Sequence, residues 1–172
     1  MIFLRLSLLL CSVGLSAQVA DYANTGYRTE EGRARVAQSL SAHDREDTQR
    51  PRDLVAQLKL SPGMTVTDIG TGVGFMLPYL HEAVGAGGKV IAEDIFPDFL
   101  AKARTNATAK QLNNVEFIHG TDKDPKLPPA YVDVALVLDV YHHFDYPEQM
   151  LAGIHAGLKP GEHLLGVIEV VV

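Results

Sequence analysis

A chain of 172 residues that is 47% hydrophobic can bury the core of one domain. Its net charge of −6, with no basic stripe and no aromatic platform, argues against nucleic acid as a partner. The single cysteine, Cys11, lies within residues 1–20, and no His or carboxylate pair stands at a recognised ligand spacing, so neither a disulfide nor a metal centre is expected.

Arg5 precedes an apolar run from Leu6 to Leu15, and the small-residue segment Ser16 to Ala20 follows, which is the layout of a secretory signal peptide. The run falls short of the about 20 apolar residues that a bilayer span needs. Residues 1–20 therefore read as a cleaved leader with no stable membrane span, and the chain as exported, periplasmic or secreted; without that leader it would be cytoplasmic. Residues 21–53 read as a helical cap. Thr29 to Leu40 and Pro51 to Leu58 have amphipathic helical patterns, joined by the charged stretch His43 to Arg50.

From residue 54 to 172, short apolar runs alternate with helical patterns in the rhythm of a βαβ series. The first strand, Thr65 to Ile69, carries Asp68 near its end and opens onto Gly70, Gly72 and Gly74. These glycines leave out the Cβ atoms that would stop the backbone turning sharply and lying against a ligand. A dinucleotide fingerprint would place its third glycine at position 75, which is Phe75, so a nicotinamide oxidoreductase is disfavoured. A helix from Phe75 to Val84 follows, with Pro78 early enough for its missing N–H to cost little. The strand Val90 to Ala92 then leads to Glu93 and Asp94. Asp94 lies about 26 residues beyond Asp68, near the offset at which a βαβ unit sets a carboxylate on ribose hydroxyls. A carboxylate suits a diol because it accepts two hydrogen bonds. Glu93 competes for that role.

The helix Pro97 to Leu112 contains the sequon Asn106-Ala107-Thr108, read as incidental. A third strand, Val115 to His119, runs into a polar loop with Thr121, Asp122 and Asp124. The run Val134 to Leu138 reads as a buried central strand with Asp139, Tyr141, His142 and His143 at its carboxyl end, the edge that faces the ligand crevice in an open α/β sheet. On a strand-like backbone the two histidines would point opposite ways. A helix from Pro147 to Leu158 buries Met150, Leu151, Ile154 and Leu158, and Lys159-Pro160-Gly161 stops it. The last strand, Leu164 to Val172, leaves Val167 to Val172 as a β-branched sheet edge, a template for self-association.

In this order the motifs resemble the class I S-adenosylmethionine-dependent methyltransferases, in their small-molecule, type 11-like branch. Asp68-Ile69-Gly70-Thr71-Gly72-Val73-Gly74 is similar to the family's first motif, GKVIAEDI to its second, VDVALVLDVYHHF to its fourth, and Leu158-Lys159-Pro160-Gly161 to its lead into strand five. The resemblance covers about Leu54 to Glu169. It implies an α/β fold, a doubly wound Rossmann-like sheet in three α/β/α layers, truncated after the fifth strand because the family's final two strands have no counterpart here.

The same resemblance implies S-adenosyl-L-methionine as cofactor. It would be held by Asp68, Gly70, Thr71, Gly72, Gly74, Asp94 and Ile95, with Asp94 on the ribose and Thr121 and Asp122 at the adenine; Asp124 is the alternative to Asp122. Residues 21–53 would cover the cofactor or shape an acceptor pocket with Tyr22, Tyr27 and Arg28, or form a solvated cap. The lone cysteine removes the thiol set on which the arsenic-methylating branch depends. The expected reaction is methyl transfer to a small molecule by in-line displacement, where positioning dominates. A base is needed only for an acceptor that arrives protonated, and Asp139, His142 and His143 are the candidates. A non-catalytic cofactor-binding module, or use of a decarboxylated donor, are the alternative readings.

Overall fold

Runs of β-branched residues bounded by glycine, proline and aspartate set the strands, and the helices between them bury one stripe each. The computed structural model describes residues 20–42, 44–161 and 164–168. The leader read over residues 1–20, apart from Ala20, and the end of the last strand, Glu169 to Val172, lie outside the described residues.

Five strands, β1 (Thr65–Ile69), β2 (Lys89–Asp94), β3 (Val115–His119), β4 (Val134–Leu138) and β5 (Leu164–Ile168), form one sheet in the order β3-β2-β1-β4-β5. Every pairing is parallel, with Val66 opposite both Val90 and Val134. β1 and β4 are buried along their whole length, as central parallel strands covered on both faces must be. On one face Val66, Ala92 and Leu136 pack against Leu77 and Leu80 of α4 (Leu77–Val84) and Ala103 and Ala107 of α5 (Pro97–Ala109). On the other, Ile69, Ala135 and Val137 meet Met150 and Ile154 of α6 (Pro147–Gly157). These are the three layers that the sequence predicts. Strand order reverses between β1 and β4, and there the chain leaves a crevice beyond the strands' carboxyl ends.

The cap differs from its reading in one respect. Between α1 (Glu30–Leu40) and α3 (Pro51–Gln57) the charged connection contains a short helix, α2 (Arg45–Gln49). Arg50 ends it with a left-handed backbone at φ 47, since the following Pro51 disfavours a right-handed helical conformation at residue 50. α1 is capped by Thr29, whose hydroxyl accepts the Gly32 N–H at 3.0 Å.

Two helix limits also shift. α4 starts at Leu77 rather than Phe75, because the glycine turn runs on through Gly74 with φ 83. α5 ends at Ala109 rather than Leu112; Gln111 turns left-handed and the Leu112 N–H returns to the Ala107 carbonyl at 3.0 Å. β2 extends through Glu93 and Asp94, which puts both acids on the strand itself.

Candidate active site

The glycine turn is shaped by Asp68 from below. Its buried carboxylate accepts the Thr71 hydroxyl at 2.7 Å, which folds the backbone back over the end of β1. Gly70 and Gly72 are left-handed, with φ of 67 and 57. At Gly70 a Cβ would also stand 2.5 Å from Val140 Cγ2, so the first glycine is required twice over. β2 holds the turn from the side. The Glu93 carbonyl accepts Thr71 N–H at 2.8 Å, and Asp94 Oδ2 accepts Gly72 N–H at 2.9 Å. The other Asp94 oxygen accepts Phe96 N–H at 2.9 Å. Asn106 of the sequon donates to the Val73 carbonyl at 2.9 Å, so its amide braces the same loop.

Three carboxyls are buried together here. Burial raises Asp68 to about 7 against the opposing Thr71 hydrogen bond, and raises Asp94 to about 6 against the N–H groups of Phe96 and Gly72. Burial also pushes Glu93 well above the carboxylate range, with Asp94 adding to it. Glu93 Oε2 faces Gly70 N–H at 3.4 Å, and Oε1 has no hydrogen-bond partner among the described residues.

These elements border a crevice of about 420 Å³. Of the residues singled out in the sequence, Gly70, Thr71, Gly72, Asp94, Ile95, Asp122, Asp139 and His143 line it. Asp68, Gly74, Thr121 and His142 do not. Asp68 acts through Thr71. Gly74 makes room for Leu77 and Ala103, its Cβ position lying 2.8 Å from Leu77 Cδ1. Thr121 Oγ1 closes its own loop by accepting Asp124 N–H at 3.0 Å. Glu93 lines the crevice beside Asp94, whereas Asp124 turns away and accepts Lys126 N–H at 2.8 Å.

The two histidines are not on a strand. Tyr141–His143 form a 3-10 turn, which brings the rings of His142 and His143 to 4.1 Å between centroids. Asn24 of the cap grips this turn: its Nδ2 donates to the His143 carbonyl at 3.0 Å and to Asp145 Oδ1 at 3.3 Å. Asn24 Oδ1 is thereby the acceptor for His143 Nδ1–H at 2.8 Å, a tautomer that leaves Nε2 as the basic nitrogen of the neutral ring. Asp139, just before, has a left-handed backbone with φ 54.

Tyr27 completes the cap's share of the crevice. Its ring stacks on Phe96 at 5.8 Å and meets Phe99 and His143 edge-on at 6.0 and 4.8 Å. Burial, with Asp94 and Asp139, raises its phenol and keeps it protonated. Tyr22 is 86% exposed and takes no part. Arg28 borders the crevice but is ion-paired with Asp21. Lining residues that no sequence signal marked include Asn24, Arg33 and Arg45 in the cap, where no motif spacing marks a polar residue as inward-facing, and Asp145, Phe96, Phe99 and Phe144 outside it. Among the described residues, no group of three or more His, Cys, Asp or Glu is gathered to hold a metal ion, and no helix is long and apolar enough to cross a membrane.

A family described as a methyltransferase domain matches residues 67–166. The chain is 41% identical over 102 residues to an arsenite methyltransferase of Halobacterium salinarum, covering 59% of this chain and 26% of that protein. It is 34% identical over 122 residues to the tRNA (adenine(58)-N(1))-methyltransferase TrmI of Thermus thermophilus, covering 69% of this chain and 46% of that protein. The chain thus spans between a quarter and a half of the length of these curated relatives. A solved S-adenosylmethionine-dependent methyltransferase from Aquifex aeolicus superposes with a TM-score of 0.71 at 31% identity, over 74% of this chain and 68% of that one.

Proposed function

This chain belongs to the class I S-adenosylmethionine-dependent methyltransferase family, whose cofactor is S-adenosylmethionine, and from that membership we propose that it moves a methyl group onto a small-molecule acceptor by in-line displacement. The observation that carries the reading is the joint placement of Asp94 and the Gly70-Thr71-Gly72 turn at one edge of a crevice of about 420 Å³. The bare backbone at Gly70 and Gly72 and the carboxylate at Asp94 form a cradle that fits a nucleoside with its amino-acid tail. When bound, the sulfonium supplies an electrophilic methyl group, so the chain's own work is orientation and exclusion of water.

Each wall has a share in that work. Asp94 accepts the ribose diol and Asp122 faces the adenine. Tyr27, Phe96, Phe99 and Phe144 give the crevice an apolar flank that keeps water from the reacting centre. Asp139 and His143 stand at the tip of β4, where either takes the proton of a hydroxyl or acidic carbon acceptor at Asp139 Oδ or His143 Nε2. His142 sits behind His143 and is a packing partner in this reading. A small acceptor is favoured over nucleic acid by the net charge of −6 and by Asp122, Asp139 and Asp145 at the crevice.

Calorimetric titration of the full chain with S-adenosylhomocysteine tests the proposal, with Asp94→Ala as control and circular dichroism on both. Micromolar binding that the control loses supports the assignment and justifies a search for the acceptor. A folded chain that binds nothing overturns it.

A further inference from the structure

We propose that Arg45 receives the α-carboxylate of the methyl donor and so selects S-adenosylmethionine over its decarboxylated form. The inference rests on the cofactor reading above. Among the described residues, three arginines border the crevice. Arg28 is ion-paired with Asp21, and Arg33 binds Asp98 Oδ2 at 2.7 Å and the Tyr27 carbonyl at 3.0 Å. Arg45 has no ion pair among the described residues. It spends one hydrogen bond, from Nη1 to the Leu40 carbonyl at 3.2 Å, and its buried Nε has no acceptor among them. The guanidinium carbon lies over the Phe75 ring, 4.7 Å from its centroid, which gives the cation an aromatic platform but no anion. A half-buried cation with so few partners costs stability unless an anion completes it.

Position along the crevice identifies the anion. The proposed nucleoside determinants, Asp94 at the last position of β2 and Asp122 beyond the end of β3, stand on one side of the crevice. Arg45 stands on the other side: its guanidinium lies over Phe75, in the turn that follows β1, and it binds the carbonyl of Leu40, whose side chain packs on Gly72 of the same turn. A donor with its adenosine over β2 and β3 therefore lays its amino-acid end toward Arg45. The α-carboxylate is the donor's only anionic group, and a guanidinium offers paired N–H groups in the geometry a carboxylate accepts. Phe75, which displaces the third glycine of a dinucleotide loop, gains a role here as the platform under Arg45.

The same fork would serve a carboxylate on the acceptor, and two probes separate the sources. Full-length protein and Arg45→Gln are titrated with S-adenosylhomocysteine and with 5′-methylthioadenosine, which keeps the nucleoside and sulfur but has no amino-acid tail. The expected result is at least a tenfold loss of S-adenosylhomocysteine affinity in Arg45→Gln with methylthioadenosine affinity unchanged, and partial retention in Arg45→Lys. Unaltered S-adenosylhomocysteine binding in Arg45→Gln overturns the proposal and turns Arg45 toward the acceptor. Equal loss of both probes also overturns it, since Arg45 would then only support the fold. Failure of the unmodified protein to bind either probe overturns the cofactor reading itself.

Discussion

Glu93 and Gly120 are fitted to each other: a Cβ at position 120 would stand 1.9 Å from Glu93 Oε1. Glu93 is 1% exposed, and its carboxyl lies between the Gly70 N–H and the loop that begins at Gly120, so it packs the turn after β1 against the turn after β3. Gly120 also donates its N–H to the Asp94 carbonyl at 3.2 Å, which keeps the two backbones close.

Gly120→Ala is therefore expected to destabilise the chain by about 1–3 kcal/mol, the usual cost of forcing a methyl group into packed space. Truncating the obstacle should return part of that loss, so Gly120→Ala is milder in a Glu93→Ala background. Urea unfolding of the four members of this cycle reads the coupling. Strict additivity would show that the carboxyl is not what the new methyl meets.

A second expectation concerns pH. A carboxyl whose folded pKa is raised binds its proton more tightly when folded, so its stabilising share is full below the unfolded value and is lost as pH rises through the folded value. For Asp68 the window runs from 3.8 to about 7, and for Asp94 from 3.8 to about 6. Between about pH 4 and pH 7 the ligand-free chain should lose stability through these groups, by roughly 1.4 kcal/mol for each pH unit that separates a group's folded and unfolded values. Asp68→Asn keeps an acceptor for the Thr71 hydroxyl and removes the charge, so its urea midpoint should fall less over that interval. An equal fall in both proteins would locate the titration elsewhere.

Ligand binding should run the other way. A diol donates two hydrogen bonds to the ionised carboxylate, so S-adenosylhomocysteine should bind more tightly as pH rises past the Asp94 value of about 6. Asp94→Asn should bind at least tenfold more weakly and with little dependence on pH. Calorimetry at about pH 5 and pH 7.5 checks both statements, and a binding constant in the unmodified protein that ignores pH would exclude Asp94 from the diol.

The sheet was legible because its signals are local. Thr65–Ile69, Val115–His119 and Val134–Leu138 are apolar or alternating runs with glycine, aspartate or proline near their ends, and their limits follow from those residues. Gly70, Gly72 and Asp94 were legible because their spacing along one βαβ unit is set by the length of a strand and a helix. Arg45 was not. It lies in a charged connection where a solvated arginine and an inward one look the same, and its place over Phe75 is set by the fold of the cap. Asn24 was hidden for a similar reason, since its partner His143 is 119 positions away. The closeness of His142 and His143 was hidden because a 3-10 turn replaces extended backbone just after β4.

Asp139 has a left-handed backbone that glycine adopts freely and that costs other residues roughly 1 kcal/mol. Asp139→Gly should leave the protein at least as resistant to heat while removing a carboxylate from the crevice. With Asp139 as one of the two proposed proton acceptors, robustness and chemistry pull against each other at a single residue. Selection for thermal endurance alone would drift this site toward glycine and leave His143 as the remaining proposed proton acceptor of the crevice.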